Sequence, residues 1–599
     1  MRTRLLHLLP LVVLPALAGS QRPAAPSLDT VRVTSRASAA ASATRSVEVI
    51  GREELERHAA RSLAELLGFA LGTDVQVRSP AQADIAIRGS TVNQVVVLVD
   101  GVRVSDVQSG HYALDLAVPT AMIERIEIMR GASSALYGSD AVGGVVNIVT
   151  RTDTSGASLA ARGGSFGGAS ASAASFGRAG PVGLRAAADV DRSDGHRPGT
   201  DYRVAQWRAS ADRATPAGRV VADVGEGVRH FGAADFYSPF PSDETTRSTT
   251  AAVRLVPEGD DARITMGGSL HLRRHTDVFT LVRTDPARYQ NEHTSVEAGG
   301  DATARVALAP AVVAAFGADL LDARLRSARL GDHVQRRTGG FAELSAGSAR
   351  RALLDVALRG DQLSDEGGFV SPSVAIAVAL APAMQLRGSI TRGFRAPTWT
   401  ERYYVDPANI ADSSLAVERF WSHEVGLRGL LPGGVAADVA VYQRAATDLI
   451  DWAKPDTAAA SAPWRTRNFA SATYRGVEGA LHLPTLANVD WTLRGAGLRF
   501  DAATASGTIG KYALRPITRS VGVSGATTLG ASVLATLDAR QERRAGEPGH
   551  LQLDARVSAP VRDLRFSLEL VNLTGADYLD GSGKPVAGRS AFAGVRWER

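Results

Sequence analysis

The sequence predicts a large transmembrane β-barrel that follows a small α/β domain. From about residue 155 to the last residue, apolar and polar side chains alternate with a period of two, and no helical domain interrupts them. Between residues 46 and 151, a helical stretch is set among short strands. One apolar face for lipid and one polar face for a wet lumen is the pattern that a membrane barrel requires.

The first 20 residues are expected to form a secretory signal peptide. Arg2 and Arg4 give a positive start, Leu5–Leu17 is apolar, and Ala16-Leu17-Ala18 is a small-x-small cleavage site. The rest of the chain has no run of about 18 apolar residues that could cross a membrane as a helix. A membrane protein with this sequence must therefore be a closed barrel, because only helices and barrels satisfy the backbone in lipid.

The composition excludes several classes of protein. The chain has no cysteine, which rules out a disulfide scaffold and thiolate metal sites. The net charge is +5, and the arginines are scattered rather than striped, so we expect no binding of nucleic acid.

Residues 21–45 are rich in Ala, Ser and Pro and are expected to be a flexible segment. Within it, at 29–35, lies a short alternating run that favours extended structure, with the residues Asp29, Thr30, Val31, Arg32, Val33 and Thr34. The pattern alone permits either an isolated strand or a peptide that adds to the edge of a partner's sheet.

The domain at 46–151 is expected to contain several short strands and one helical stretch from about Glu53 to Phe69, in which Ser62 and Glu65 have capping-box spacing. Asp100-Gly101 lies between two valine-rich runs and predicts a type I′ hairpin. The domain ends with Ile123–Thr150, in which a strand, a tight turn at Arg130-Gly131, an Ala/Ser segment and a Gly-Gly break precede a second strand.

The region 155–599 is predicted to be the barrel. Ile264, Met266, Leu270 and Leu272 alternate with polar residues, and the same pattern recurs near Val439 and Leu568. An array of soluble β-sandwiches would alternate in the same way, but it would be divided into modules of about 100 residues joined by linkers. The sequence has no such linkers, so the barrel is favoured.

Ordered motifs along the chain resemble those of TonB-dependent outer-membrane receptors. They are Ile87-Arg88-Gly89, Val99-Asp100-Gly101-Val102-Arg103, the Ile123–Thr150 stretch, Phe394-Arg395-Ala396-Pro397 with Glu401, Glu424-Val425-Gly426, Asp448-Leu449-Ile450, Gly476-Val477-Glu478 and Val571-Asn572-Leu573. The resemblance implies an all-β barrel of about 22 antiparallel strands, with residues 46–151 as a plug domain inside the lumen. It also implies a monomer in outer-membrane lipid of a Gram-negative bacterium, without catalytic activity or a cofactor.

The resemblance also assigns roles to particular residues. The Asp29–Thr34 run matches the TonB box, which binds a TonB-type energy-coupling protein of the inner membrane. Arg88 and Arg130 of the plug are expected to pair with the barrel residues Glu424 and Glu478 and hold the plug in place. If these four side chains are instead ordinary lumen charges that face water, they will lie far from one another.

Within the family, the plug most resembles that of vitamin B12 (cobalamin) receptors, through IRGS at 87–90 and ALYGSDAVGGVVNIVT at 135–150. The resemblance therefore implies import of cobalamin or a related corrinoid, with a ferric siderophore as the alternative. The candidate ligand-binding residues lie in plug loops that face outward by family position, and they are Gln82, Asn93, Gln108, His111 and Tyr112. Packing of these side chains against barrel loops is the competing interpretation.

Other site patterns are weaker. Gly163–Gly167 matches G-x-S-x-G, but a Gly- and Ala-rich strand surrounds it rather than the strand-to-helix turn of a hydrolase. Asp189, Asp191 and Asp194 suggest a calcium loop without the Glu expected at its twelfth position, so a solvated loop is favoured. A passive porin would lack the plug and the TonB box and is therefore disfavoured. A surface-binding barrel would be expected to have long repetitive loops, and the sequence shows none, so it is disfavoured too.

Overall fold

The structure is a computed structural model that describes residues 43–59, 62–79, 81–236, 240–259, 262–459, 461–503, 507–513, 515–530 and 532–599. The expected signal peptide and the TonB box at Asp29–Thr34 lie outside the described residues.

The N-terminal part of the described chain is a small α/β unit. Its strands are β1 (Ser46–Gly51), β2 (Thr73–Ser79), β3 (Gln82–Ile87), β4 (Val95–Val99), β5 (Val102–Arg103), β6 (Ile123–Arg130) and β7 (Gly144–Thr150). Its helices are α1 (Arg52–Arg57), α2 (Leu63–Leu67) and α3 (Ser134–Tyr137), with 3-10 turns at Val92–Gln94, Gly110–Tyr112 and Thr120–Met122. One sheet has the order β1-β6-β7-β4-β5, and β2 and β3 form a separate hairpin.

The predicted type I′ hairpin and the final strands of this unit are present. Asp100 and Gly101 both have positive φ, at 52° and 82°, and they join β4 to β5 in antiparallel register. Ile126 and Ile128 of β6 and Val146 and Ile148 of β7 are fully buried in the centre of the sheet. The Ala/Ser segment between these strands forms α3, which the sequence pattern did not indicate.

The single helical stretch predicted for Glu53–Phe69 is wrong. The structure has two short helices, with His58 in an extended conformation after α1. The His58 ring stacks on Phe69 at 4.1 Å and lies 3.1 Å from the Asp538 carboxylate, while Arg556 donates to the carbonyl of His58. These tertiary contacts occupy the groups that would continue the helix. The Ser62 hydroxyl caps α2 by accepting from the Glu65 amide.

The remaining chain forms a closed antiparallel barrel, and the described residues contain 22 long strands. They are β8 (Gly156–Gly164), β9 (Gly168–Ala179), β10 (Val182–Ser193), β11 (Tyr202–Thr215), β12 (Gly218–Gly232), β13 (Asp243–Val256), β14 (Ile264–Thr280), β15 (Gln290–Ala309), β16 (Val312–Ser327), β17 (His333–Gly347), β18 (Ala352–Leu363), β19 (Gly367–Ala381), β20 (Met384–Arg395), β23 (Glu418–Leu431), β24 (Val435–Pro455), β25 (Trp464–His482), β26 (Val489–Ala502), β28 (Ile517–Leu529), β29 (Val533–Arg544), β30 (His550–Val561), β31 (Leu564–Val571) and β32 (Ser590–Glu598).

Shorter elements lie in the connections between these strands. They are the 3-10 turn Pro286–Arg288, α4 (Trp399–Tyr403), β21 (Val405–Asp406), β22 (Asn409–Ile410) and β27 (Thr508–Gly510). The barrel closes where β32 pairs with β8, with Trp597 opposite Leu159.

The alternation seen in the sequence places apolar side chains on the outside of the barrel. Met266 and Leu270 are 61% and 71% exposed, whereas Arg273 and His275 on the same strand are buried toward the lumen. The predicted barrel with an apolar outer face and a polar inner face is therefore confirmed. Among the described residues, no helix has the length and apolar character needed to cross a membrane.

The two ends of the barrel differ. At one end, strands are joined by turns as short as 180–181, 216–217 and 382–383, whereas at the other end the connections include 396–417 and 572–589. Outer-membrane barrels have short turns on the periplasmic side and long loops outside. The long connections therefore mark the outer end of the barrel, and the plug fills the lumen below them.

Candidate functional site

The plug is joined to the barrel wall by a buried cluster of opposite charges. The Arg88 guanidinium lies 2.6 Å from Glu424 of β23 and 2.7 Å from Glu478 of β25. Arg130, at the end of β6, donates to the same Glu478 carboxylate at 2.7 Å. All four side chains are buried. We call this set of two arginines and two glutamates the latch cluster, and each of its members contacts an opposite charge of the set.

Local backbone geometry creates the space for the latch cluster. Arg88 itself has φ of 53°, directly after β3. Gly131 has φ of +89°, and a Cβ there would lie 2.9 Å from Nη1 of Arg88. Gly72 has φ of +71°, and a Cβ there would lie 2.9 Å from Oε2 of Glu478. Glycine is therefore needed at both positions for its conformation and for its lack of a side chain.

Further groups complete the hydrogen bonding of the latch cluster. Ser46 donates to Glu424 at 2.6 Å and accepts from Arg387 of β20, and Glu48 pairs with Arg130. The Tyr442 ring lies 4.3 Å from the Arg88 guanidinium. Burial opposes the charge on Arg88, but Glu424 and Glu478 outweigh it and hold the pKa of Arg88 well above its ordinary value. Arg88 is therefore a permanent cation in this interior.

A second polar network joins the plug to the outer part of the barrel. Arg395 of the Phe394–Pro397 motif forms ion pairs at 2.8 Å with Glu401 and Glu418. The plug contributes Asn93, which donates to Glu401 at 3.1 Å, and Gln94, which donates to Glu418 at 2.8 Å. The barrel motif that resembled the family's thus contacts the plug directly.

The opposite face of the plug is held by a third set of contacts to β12–β14. Arg254 pairs with Asp100 at 3.1 Å, and Arg273 pairs with Asp106 at 3.0 Å. Asp115 accepts from Thr246 at 2.7 Å and lies 3.7 Å from Arg229. The plug is therefore fixed to the barrel wall on several sides by charged hydrogen bonds.

The candidate ligand-binding residues have protein partners or are buried in this conformation. Tyr112 is buried and donates to Asp277 at 2.6 Å, and His111 is hydrogen-bonded to Asp84 at 2.8 Å. Gln108 and Gln82 are buried, and Asn93 contacts Glu401 and also accepts from the amide of Gly110. This geometry matches the competing interpretation, in which these side chains pack against the barrel.

The three calcium candidates do not form a compact site. Asp189 accepts from Gln206 at 3.2 Å and Asp191 from the Tyr202 hydroxyl at 3.4 Å. The described residues contain no group of three or more carboxylates or imidazoles arranged to hold a metal ion.

A cavity that the sequence did not indicate lies between the plug and strands β28–β31. It measures about 470 Å³, and its described lining includes α2 and β2 of the plug and the outer connections 545–549 and 572–589. We call it the side cavity. Its barrel side has several polar and charged residues, namely Arg540, Arg544, His550, Asp554 and Tyr578. Tyr578 accompanies the Val571-Asn572-Leu573 motif, whereas Arg540, Arg544, His550 and Asp554 belong to no recognisable motif.

Comparison with protein families and known proteins gives consistent matches. The family model described as TonB-dependent Receptor Plug Domain matches residues 39–145, and that described as TonB dependent receptor-like, beta-barrel matches residues 146–575. The chain is 25% identical to the vitamin B12 transporter BtuB of Vibrio vulnificus (strain YJ016) over 460 residues, which covers 72% of each chain.

Two further similarities differ in extent. The chain is 41% identical to BtuB of Vibrio cholerae (serotype O1, strain M66-2) over 115 residues, which cover 19% of this chain and 18% of that one. The crystal structure of the siderophore receptor PirA from Pseudomonas aeruginosa superposes with a TM-score of 0.74 at 17% identity, covering 92% of this chain and 99% of that one. At that identity, the structural likeness shows the fold alone.

Proposed function

The chain belongs to the TonB-dependent receptor family, and from that premise we propose that it imports cobalamin or a related corrinoid with energy from a TonB-type inner-membrane protein. Members of this family are transport receptors rather than enzymes. The fold implies the outer membrane of a Gram-negative bacterium. The observation that carries the proposal is the plug held inside a closed barrel by buried ion pairs.

Energised import is supported by the cost of releasing a tightly held ligand and of moving the plug. A receptor that binds at nanomolar affinity holds its ligand by about 12 kcal/mol. With an on-rate near 10⁶ M⁻¹s⁻¹, spontaneous release would take on the order of 10³ seconds. The latch cluster also gives the plug a definite resting position, and removing one partner of such a buried pair costs about 3–5 kcal/mol. Work done on the receptor through the Asp29–Thr34 segment would supply the free energy for releasing the ligand and moving the plug.

The choice of a corrinoid is supported by the sequence relatives. The relative from Vibrio vulnificus, named a vitamin B12 transporter, matches 72% of the chain, whereas the siderophore receptor PirA shares only 17% of its residues. A ferric siderophore remains the second candidate ligand because its receptors have the same fold.

Isothermal titration of the purified receptor tests the ligand. We expect heat of binding with cyanocobalamin and none with a ferric tris-catecholate. If only the catecholate gives heat of binding, the ligand is a siderophore rather than a corrinoid. The family assignment would not change.

A further inference from the structure

Of three cavities that border the plug, the side cavity has the greatest volume. Toward β12–β14 and β23–β25, the ion pairs of Asp100, Asp106 and the latch cluster join the plug to the wall. The cavity that Val107 lines, on another side of the plug, measures only about 50 Å³. The side cavity, at about 470 Å³, has room for part of a solute between the plug and the wall.

A second cavity lies on the other side of helix α2 from the side cavity. Ala64 and Glu65 of α2 line the side cavity, whereas Leu66 of the same helix and Ser62, which caps it, line a cavity of about 240 Å³. That lower cavity is bounded by β8–β10 and β30–β32 and includes Arg596, near the inner end of the barrel. Helix α2 therefore lies between two spaces that follow one another from the outer toward the inner end.

The charge of the side cavity is negative. The described residues that line it include seven carboxylates, against two guanidinium groups. Both cations are engaged, since Arg544 pairs with Asp74 at 2.7 Å and Arg540 donates to the Gly68 carbonyl at 2.8 Å. Among the described residues, Asp554, Asp577 and Asp580 form no ion pair. A concave site with excess charge of one sign concentrates solutes of the opposite sign and repels those of the same sign.

One buried acceptor atom in the side cavity receives no hydrogen bond from the part of the chain that the structure describes. Asp580 is 7% exposed, and its Oδ1 accepts from Ser582 and from the amide of Lys584. Its Oδ2 is buried without a hydrogen bond from any described residue. A buried polar atom without a hydrogen bond is costly, so Oδ2 is a position where a donor of a bound solute would be stabilised.

We infer that the side cavity is a binding site on the import path, and that it admits neutral or cationic solutes with hydrogen-bond donors and excludes strongly anionic ones. The inference rests on the proposed import function and narrows its substrate class. A corrinoid with neutral amide side chains fits this class, and a ferric tris-catecholate, which is a polyanion, does not.

Cysteine labelling tests the charge of the side cavity, and the chain suits it because it has no cysteine of its own. Val77 of β2 and Val586 of the outer connection line the cavity, and V77C and V586C place a thiol there in two independent variants. Each receptor in isolated outer membranes is treated with a trimethylammonium or a sulfonate methanethiosulfonate. Each rate is divided by the rate of that reagent with a free thiol.

We expect the normalised rate to favour the cationic reagent by about tenfold or more at both positions. S172C is the matched control, because the lower cavity of about 240 Å³ that Ser172 lines has four carboxylates and four guanidinium groups among its described residues, and there the ratio should lie near one. D580N combined with V77C should reduce the preference. A ratio near or below one in both V77C and V586C would overturn the inference.

Uptake measurements separate this inference from the proposed function. The V77C receptor modified with the cationic reagent should import cyanocobalamin several-fold more slowly than the unmodified variant, and unchanged uptake would remove the cavity from the path. Energy-dependent uptake of ferric enterobactin by the unaltered receptor would refute the charge selection but keep the import function. If energised uptake of both solutes is absent, the proposed function fails, while the labelling ratio still reports the charge of the cavity.

Discussion

Arg88 of the plug donates to Glu478 of β25 through both Nε and Nη2, at 3.1 and 2.7 Å. The two residues are 390 positions apart in sequence, and the pair connects the end of β3 to the middle of the barrel wall. Because Arg130 donates to the same carboxylate, Glu478 is the point at which two plug segments are held together.

Substitution of Glu478 by Gln should loosen the plug without unfolding the barrel. The change leaves Arg88 and Arg130 with less compensating charge in a buried site, which costs about 3–5 kcal/mol. Hydrogen exchange of the β3 and β6 amides should show faster opening, while barrel amides keep their protection. D501N is the control, since it removes exposed pairs with Arg475 and Arg499 and should change the opening free energy by less than about 1 kcal/mol. Unchanged exchange in E478Q would contradict the latch.

Substitution of Gly131 by Ala should have a related effect through the backbone. An alanine at φ of +89° is strained by about 1–2 kcal/mol, and its Cβ would crowd Nη1 of Arg88. G131A should therefore expose the plug amides to faster exchange. G360A is the matched control, because no atom lies within 4 Å of the position of its Cβ. Equal exchange in the two variants would show that Gly131 is not required by the cluster.

Acidification should weaken the contact between the plug and β12–β14. Burial alone would raise the pKa of Asp115, but Arg229, His275 and Thr246 outweigh it, and the pKa lies below its ordinary value. A carboxylate whose pKa is lower in the folded state stabilises that state above its unfolded pKa of about 3.9 and loses this contribution as the pH falls. Protection of the plug amides should therefore be steady from pH 7 to about 5 and decline below about 4. D115N should show a smaller decline, and an identical pH profile would contradict this role.

A proline at Val33 should leave ligand binding intact and abolish uptake. Proline removes the amide that a strand added to a partner's sheet would donate, so the TonB box proposed for Asp29–Thr34 should fail to bind its energy-coupling partner. V33T keeps the amide and the preference for extended structure, and it should transport at the original rate. Retained energy-dependent uptake in V33P would refute the assignment of this segment.

Much of the fold was predictable because apolar side chains that face outward alternate with polar side chains that face the lumen along the barrel strands. Met266 and Leu270 face outward and Arg273 inward, as their alternation indicates, and positive φ at Asp100 and Gly101 follows from their residue types. The break of the helix after α1 was not predictable. It depends on Asp538 and Arg556, which approach His58 from strands almost 500 residues away.

The candidate site was predictable only where the family supplied motifs. Arg88 and Glu478 belong to short recognisable stretches, whereas Asp580 and Arg544 of the side cavity do not. The cavity was not predictable because its lining comes from α2 and from β28–β31, which lie far apart in the sequence.

Accumulation of radiolabelled cyanocobalamin tests the central claim of energised import most directly. The receptor is expressed in cells that lack their own receptor, with the TonB-type protein present or deleted. We predict accumulation above the external concentration only when that protein is present and the proton gradient is intact. Equal uptake in both strains would mean passive diffusion through the barrel and would contradict the proposed function.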